Sequence, residues 1–289
     1  MHKILVTGKN GQLGSELMLL CQAYSGTFFF TDRETLDITG KETLEDYIES
    51  NDINVIINTA AYTAVDKAEE EPDLADKINH KAVELLASIS KKKNITLVHI
   101  STDYVFDGEN HRPYVESDPV LPQGVYGETK LKGEVALQKI SPKNSIIIRT
   151  SWVYSSFGVN FVKTMLRLGK ERDELGVIFD QVGTPTYAKD LARTILEILP
   201  KINNESVEIY HYSNEGVLSW YDFAKSIMSL SDIACKINPI ETNAYPTPAS
   251  RPHYSLLNKT KIKGTFNIHI PYWKDSLEIC LNELGEMRT

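Results

Sequence analysis

The apolar positions of this chain fall into short unbroken runs separated by longer stretches with helical spacing. Ile4-Leu5-Val6, within Lys3 to Thr7, carries no polar interruption, the pattern of a strand buried on both faces. Thr27 to Thr31, Val55-Ile56-Ile57-Asn58, Ile95 to Ile100 and Ser145 to Arg149 repeat it, which predicts a series of parallel strands. Ser15 to Ala23, a segment through Ile48 that Asp37 or Thr39 could cap, Leu74 to Lys91 and the stretch holding Tyr126 and Lys130 read as the intervening helices. Strands alternating with helices predict an α/β fold built on a doubly wound parallel sheet.

Past residue 150 the alternation weakens. Leu175 to Phe179, Asp180-Gln181-Val182-Gly183-Thr184-Pro185-Thr186, Tyr210-His211-Tyr212-Ser213 and the proline-rich Tyr245 to Pro252 look like pieces of a smaller lobe interleaved with the sheet's last strands. We expect a main domain over 1–150, to which some later strands return, and a smaller α/β lobe over 151–289. A length of 289 residues with 42% hydrophobic positions can fill such a core. The net charge of −8, with no concentration of Lys and Arg, argues against nucleic acid as a partner. Cys21, Cys235 and Cys280 are too few and too scattered for a disulfide framework and suggest a reducing compartment. Lys3 to Thr7 leads straight into a glycine loop and reads as a strand, not a signal peptide, and no apolar stretch approaches bilayer length. A cytoplasmic protein without a membrane partner is expected.

Gly8-Lys9-Asn10-Gly11-Gln12-Leu13-Gly14 follows the first strand and opens the first helix. Glycines there remove the Cβ atoms that would hold a pyrophosphate away from backbone N–H groups, and the helix N-terminus favours negative charge. The spacing is G-x-x-G-x-x-G, not the commoner G-x-G-x-x-G. In this position it marks the sheet as a Rossmann-type dinucleotide site over 1–150, leaving substrate binding mainly to 151–289. The second strand ends in Asp32-Arg33, where a residue contacting the adenine ribose is expected. An aspartate accepts from a free 2′-hydroxyl and an arginine can pair with a 2′-phosphate, so the pair suits either NADH or NADPH. Thr59-Ala60-Ala61-Tyr62-Thr63 ends the third strand in small residues that let a ligand lie close. The charged run Asp66 to Glu71 reads as a solvated helix end.

Thr102, after the fourth strand, could hydrogen-bond a substrate carbonyl, or cap a turn. Tyr126 and Lys130 stand four apart and so on one helix face, where a cation beside a phenol would bring its pKa down and let it serve as a proton donor. The loop with Pro113, Pro119 and Pro122 is a candidate flap. None of the seven histidines has metal-ligand spacing, and no metal site is expected.

Taken together, these segments resemble the extended short-chain dehydrogenase/reductase superfamily and, within it, the dTDP-4-dehydrorhamnose reductases. Gly8 to Gly14, Asn58 to Thr63, Ser101-Thr102-Asp103-Tyr104-Val105-Phe106, Tyr126 with Lys130, Arg149-Thr150-Ser151-Trp152, Asn160-Phe161 and Arg251-Pro252 carry the likeness in order along nearly the whole chain. The resemblance implies reduction of the C4 ketone of dTDP-4-dehydro-L-rhamnose to dTDP-L-rhamnose, a donor for cell-surface polysaccharide. Tyr126, Lys130 and Thr102 would be catalytic. Cofactor contacts would come from Gly8, Asn10, Gly11, Gln12 and Leu13, from Asp32, Arg33, Asp37 and Ile38, from Ala60, Ala61, Tyr62 and Thr63, and from Tyr126 and Lys130. Thr102, Asp103, Tyr104, Trp152, Asn160 and Arg251 would meet the nucleotide sugar. NADPH is the expected cofactor, with NADH as the other choice.

Some members of that family bind magnesium at a homodimer interface, and Glu16 falls near one such ligand. No convincing partners for it are evident in the sequence, so no catalytic metal is expected, while magnesium at a dimer interface, and a homodimer, stay open. Related dehydratases carry a glutamate where this chain has Tyr104, which favours reduction. An epimerase of the same superfamily, or a non-catalytic subunit resembling the methionine adenosyltransferase regulatory protein, remains as an alternative.

Overall fold

The computed structural model describes residues 1–287. Six strands form one parallel sheet: β1 His2–Thr7, β2 Gly26–Thr31, β3 Val55–Asn58, β4 Thr96–Thr102, β5 Ile146–Thr150 and β6 Glu208–Tyr212. Their spatial order is β6-β5-β4-β3-β1-β2. The chain moves outward from β1 to β2, then crosses back to β3 on the other side of β1. That reversal is where ligands of open α/β sheets lie, beyond the strands' carboxyl ends.

Both faces of the sheet are buried because alternate side chains of each strand feed different cores. Ile4, Val6, Ile57, Val98 and Ile148 pack under helices Gln12–Leu20 and Ala188–Ile198, with Leu17, Leu191 and Ile195. Leu5, Ile56, Leu97 and Ile147 face the opposite layer of Leu44, Ile48, Leu86 and Leu137. Thus the unbroken apolar runs are explained: a polar residue on either face would lose water without gaining a partner.

Of the later segments, Tyr210-His211-Tyr212 lies in the main sheet, where β6 pairs with β5. Its outward N–H and C=O groups are covered: the His211 N–H donates to Glu116 at 3.1 Å and Lys261 donates to the Ile209 carbonyl at 2.8 Å. The remaining strands pair in twos. Glu174–Ile178 runs parallel to Lys236–Ile240, Val153–Tyr154 parallel to Thr186–Tyr187, and Val182–Gly183 antiparallel to Leu218–Ser219. With helices Phe161–Glu171, Trp220–Leu230 and Trp273–Glu283 they enclose a further core around Val162, Leu166, Phe223, Ile227 and Leu277.

Local details depart from the sequence expectations in three places. Helix Lys41–Ser50 is preceded by Gly40, and neither Asp37 nor Thr39 caps it, since Asp37 spends its carboxylate on the Thr39 N–H and hydroxyl. The long helix expected over Leu74 to Lys91 is Pro72–Asp76 and Ala82–Lys93 joined by a π turn, Lys77–Lys81. Such turns re-aim a side chain inward, and here the residue is Asn79. The proline loop is no flap. Tyr114 is stitched into the 256–258 segment by backbone hydrogen bonds and stacks on Phe106, and nothing between Tyr104 and Tyr126 lines the cavity described next.

Candidate active site

A cavity of about 730 Å³ opens beyond the carboxyl ends of β1, β3 and β4. Its floor at one end is the glycine loop. Gly8 has φ +74°, and a Cβ there would stand 2.9 Å from the backbone of Ala60. On Gly14 a Cβ would come within 2.3 Å of the Gly8 carbonyl oxygen, so only glycine lets the helix seat this close to the loop. No side chain caps helix Gln12–Leu20, leaving its first N–H groups for an anion. The geometry suits a dinucleotide pyrophosphate, which Gly8, Gly11, Gln12 and Leu13 would hold.

Asp32, Arg33, Asp37 and Ile38 line the next part of the wall. Asp32 accepts from the Thr35 hydroxyl and N–H, from Lys9 at 3.0 Å and from Asn10 at 3.0 Å. These contacts, Thr35 foremost, hold its carboxyl well below the usual carboxylate range. Asn10 therefore acts on Asp32 and does not itself reach the cavity wall. Ala60, Ala61 and Thr63 line the cavity across from the loop, whereas the Tyr62 ring turns away to Glu71. That hydrogen bond pushes the Tyr62 phenol up to about 12.

The acidic run expected to be solvated instead braces the walls. Asp66 pairs with Arg251 at 2.8 Å and accepts from the Ala249 N–H. Glu69 accepts from the Val125 N–H at the start of helix Val125–Ile140, which carries Tyr126. Its partners lie too far away in sequence for charge patterning to reveal. Asn79, in the π turn, clasps both the N–H and the C=O of Tyr62 at 2.9 and 3.1 Å and also donates to Thr129. Gly133 makes this close packing feasible, since a Cβ there would stand 2.2 Å from the Asn79 carbonyl oxygen.

Tyr126, Lys130, Thr102, Asp103, Tyr104 and Trp152 all line the same cavity. Burial pushes the Tyr126 phenol up to about 12, against a lowering contact from Thr102. The expected depression by Lys130 is absent because the ammonium is turned to the Ile100 carbonyl, at 2.7 Å. Burial in turn pushes Lys130 down to about 8, opposed by the carboxylate of Glu134. Glu134 itself is paired with Arg149 through bonds of 3.0 and 2.6 Å and accepts from Ser101, beside Thr102. Below the cavity, Thr7 donates to Asn58 at 2.6 Å and Asn58 to His99 at 3.0 Å, linking the ends of β1 and β3 to the middle of β4. Burial first, then Lys130, keeps that imidazole neutral.

Trp152 adopts φ +48°, a conformation rare for a bulky residue and often found at ligand sites. It is held by stacking on Trp220 with centroids 3.6 Å apart. Asn160 and Arg251 do not reach the cavity wall. Asn160 caps helix Phe161–Glu171 and donates to Gln12 and the Ser155 carbonyl, and Arg251 is spent on Asp66 and the Ala249 carbonyl.

Within one chain the residues around Glu16 do not by themselves make a magnesium site. Glu16 is buried on Ser155, the nearby Glu283 is bound by the Lys189 ammonium, and no group of three or more His, Cys, Asp or Glu among the described residues could hold a metal. No helix among them is long and apolar enough to cross a membrane.

A parallel sheet with a glycine-rich anion loop at its switch point, and a half-buried Tyr and a buried Lys on one helix beside it, defines an NAD(P)H-dependent oxidoreductase of the extended short-chain type. The family model described as "RmlD substrate binding domain" matches residues 1–286. A dTDP-4-dehydrorhamnose reductase of Aggregatibacter actinomycetemcomitans is 45% identical, the match covering 96% of this chain and 98% of that protein. Among solved structures, the reductase of Clostridium acetobutylicum superposes with a TM-score of 0.93 at 44% identity, covering 98% of this chain and 99% of the other. That of Bacillus anthracis, in complex with NADP, gives 0.92 at 37%, with 98% and 99% covered. The chain belongs to the dTDP-4-dehydrorhamnose reductase family.

Proposed function

We propose that this protein reduces the C4 ketone of dTDP-4-dehydro-L-rhamnose to dTDP-L-rhamnose in the cytoplasm, using NADPH and accepting NADH. The observation that carries the reading is the convergence of Tyr126, Lys130 and Thr102 on the cavity floored by the glycine loop. Reduced nicotinamide, when bound, supplies the hydride to the ketone carbon. As negative charge grows on the carbonyl oxygen, Tyr126 gives it the phenolic proton and Thr102 steadies it with a hydrogen bond. A phenol raised to about 12 is a reluctant acid toward water but not toward an alkoxide, so it keeps its proton until the carbonyl oxygen needs it.

Lys130 would hold the nicotinamide ribose and, once that cation is drawn toward the site, ease the phenol's ionisation. Gly8, Gly11, Gln12, Leu13, Ala60, Ala61 and Thr63 would seat the cofactor. Arg33 would favour a 2′-phosphate, helped by Lys9, which offsets the Asp32 charge. Tyr104 and Trp152 would flank the sugar. Arg251, set back from the wall on Asp66, would turn to the diphosphate, and Asn160 would act through Gln12. Tyr104 presents no carboxylate for eliminating water.

Oxidation of NADPH and NADH should be followed against a panel of nucleotide-4-ketosugars, with the Tyr126→Phe variant beside the native chain. Turnover of the dTDP-ketosugar with net loss of reduced cofactor is expected, and the variant should lose about 10²- to 10⁴-fold in kcat at unchanged cofactor affinity. An epimerase would consume no cofactor, and a binding subunit would have no turnover to lose.

A further inference from the structure

We infer that Asp103 is a positioning residue whose protonation decides whether the Thr102 hydroxyl donates into the cavity or back to Asp103. The inference rests on the reductase reading above and concerns how Thr102 becomes available to the ketone.

A threonine hydroxyl has one proton to give and two lone pairs. Thr102 accepts from the Tyr104 N–H at 3.2 Å and donates to Asp103 Oδ1 at 3.0 Å. Donation to an ionised carboxylate is the stronger kind of hydrogen bond, so with Asp103 charged the hydroxyl can only accept on its cavity side. It would then offer the ketone nothing. With Asp103 neutral, Oδ1 is a weaker acceptor, and the hydroxyl is free to turn to the carbonyl oxygen.

Asp103 is placed to make that change. Only 3% exposed, it lines the cavity. Its Oδ2 has no hydrogen-bond partner, nor does the Oγ of Ser255, although Ser255 is near enough to weigh on its titration. Among the described residues no cation balances it. Tyr126 faces it from the helix and Tyr104 from its own turn. Lys130 is turned to Ile100, and Arg251, bound to Asp66, acts on Tyr104. An unbalanced buried carboxyl is driven toward its neutral form, here up to about 7. A raised carboxyl pKa leaves the neutral, permissive form below about 7 and the charged, withholding form above it.

The test compares the pH dependence of kcat/KM, which reports groups of the free enzyme, in the native chain and in Asp103→Asn, whose amide cannot ionise. Native kcat/KM should fall through about pH 7, ahead of a second fall near 8 from Lys130. The variant should keep only the second. Relative to the native chain, the variant's kcat/KM should therefore rise about tenfold between pH 6 and pH 8, since a carboxyl of pKa 7 is about nine-tenths ionised at pH 8. In the free protein, the infrared band of a protonated carboxyl should titrate near 7 and be missing from the variant. Adding Asp103→Asn to Thr102→Val should change nothing in the profile, because Asp103 acts through that hydroxyl.

Should Asp103→Asn not fold, Ser255→Ala removes a contact that favours the charged form, and the first fall must move to higher pH. Parallel profiles in an active enzyme, or a surviving effect without the Thr102 hydroxyl, overturn the inference while leaving the reductase reading intact. Absence of any ketosugar reduction would overturn the reading itself.

Discussion

Replacing Glu134 by Gln tests how the catalytic strand end is held. Glu134 is fully buried and Arg149 only 3% exposed, so neither charge has water to fall back on. The guanidinium spends Nε and Nη2 on the carboxylate, while Nη1 has no partner and the Phe106 ring lies 5.0 Å from its centre. The amide is nearly the same size, so the packing term is small. What changes is that a buried guanidinium loses its counter-charge, and this costs about 3–5 kcal/mol where one partner of a buried pair is removed. The ring contact is present before and after the change, so it does not offset that loss.

Urea unfolding of native and variant protein, at equal slopes, should show a loss in that range. Removing both charges, as Glu134→Leu with Arg149→Met, should recover most of it, since apolar replacement of a whole pair is often neutral. Because Glu134 also holds the Lys130 pKa up, its neutralisation should move the Lys130-dependent fall in activity to below about pH 8. A loss under about 1 kcal/mol for Glu134→Gln, or a double variant no better than the single one, would refute the electrostatic account.

Two further predictions concern the cofactor side. In Gly14→Ala the new methyl meets the Gly8 carbonyl, so the helix must back away; stability should fall by about 1–3 kcal/mol and NADPH affinity, read by nucleotide fluorescence, more than about tenfold. Arg33→Ala should lower kcat/KM for NADPH about tenfold while sparing NADH, since a phosphate contact at a partly solvated site is worth about one such factor, and equal losses with both cofactors would count against Arg33 as the phosphate partner.

Where the fold was legible in the sequence, local physics decided it. A strand such as β3, apolar on both faces, can be read from four residues, and the glycine loop declares itself because no other residue fits its close approaches. β6 was harder to see. Its inner positions are Tyr210, His211 and Tyr212, residues equally at home on a surface, and burial holds His211 neutral by driving its pKa down to about 3. Spacing likewise put Tyr126 and Lys130 on one face but could not show that Lys130 reaches across to β4. The acidic run misled for a related reason. Asp66 and Arg251 are adjacent only once the chain is folded, and charge patterning sees neighbours along the sequence, not across a cleft.

The margin of the sheet carries one more implication. β6 reaches β5 only after the whole 151–207 stretch, and its own outer side is sealed by Glu116 and Lys261. An unpaired strand edge is a template for self-association. During synthesis, β5 is such an edge until residue 212 has emerged, so a fragment cut at 150 should coalesce, however well its glycine loop forms. Swapping substrate preferences between relatives by exchanging the later half would have to carry β6, Lys261 and a matching Glu116 together, or the hybrid would be exposed along the same seam.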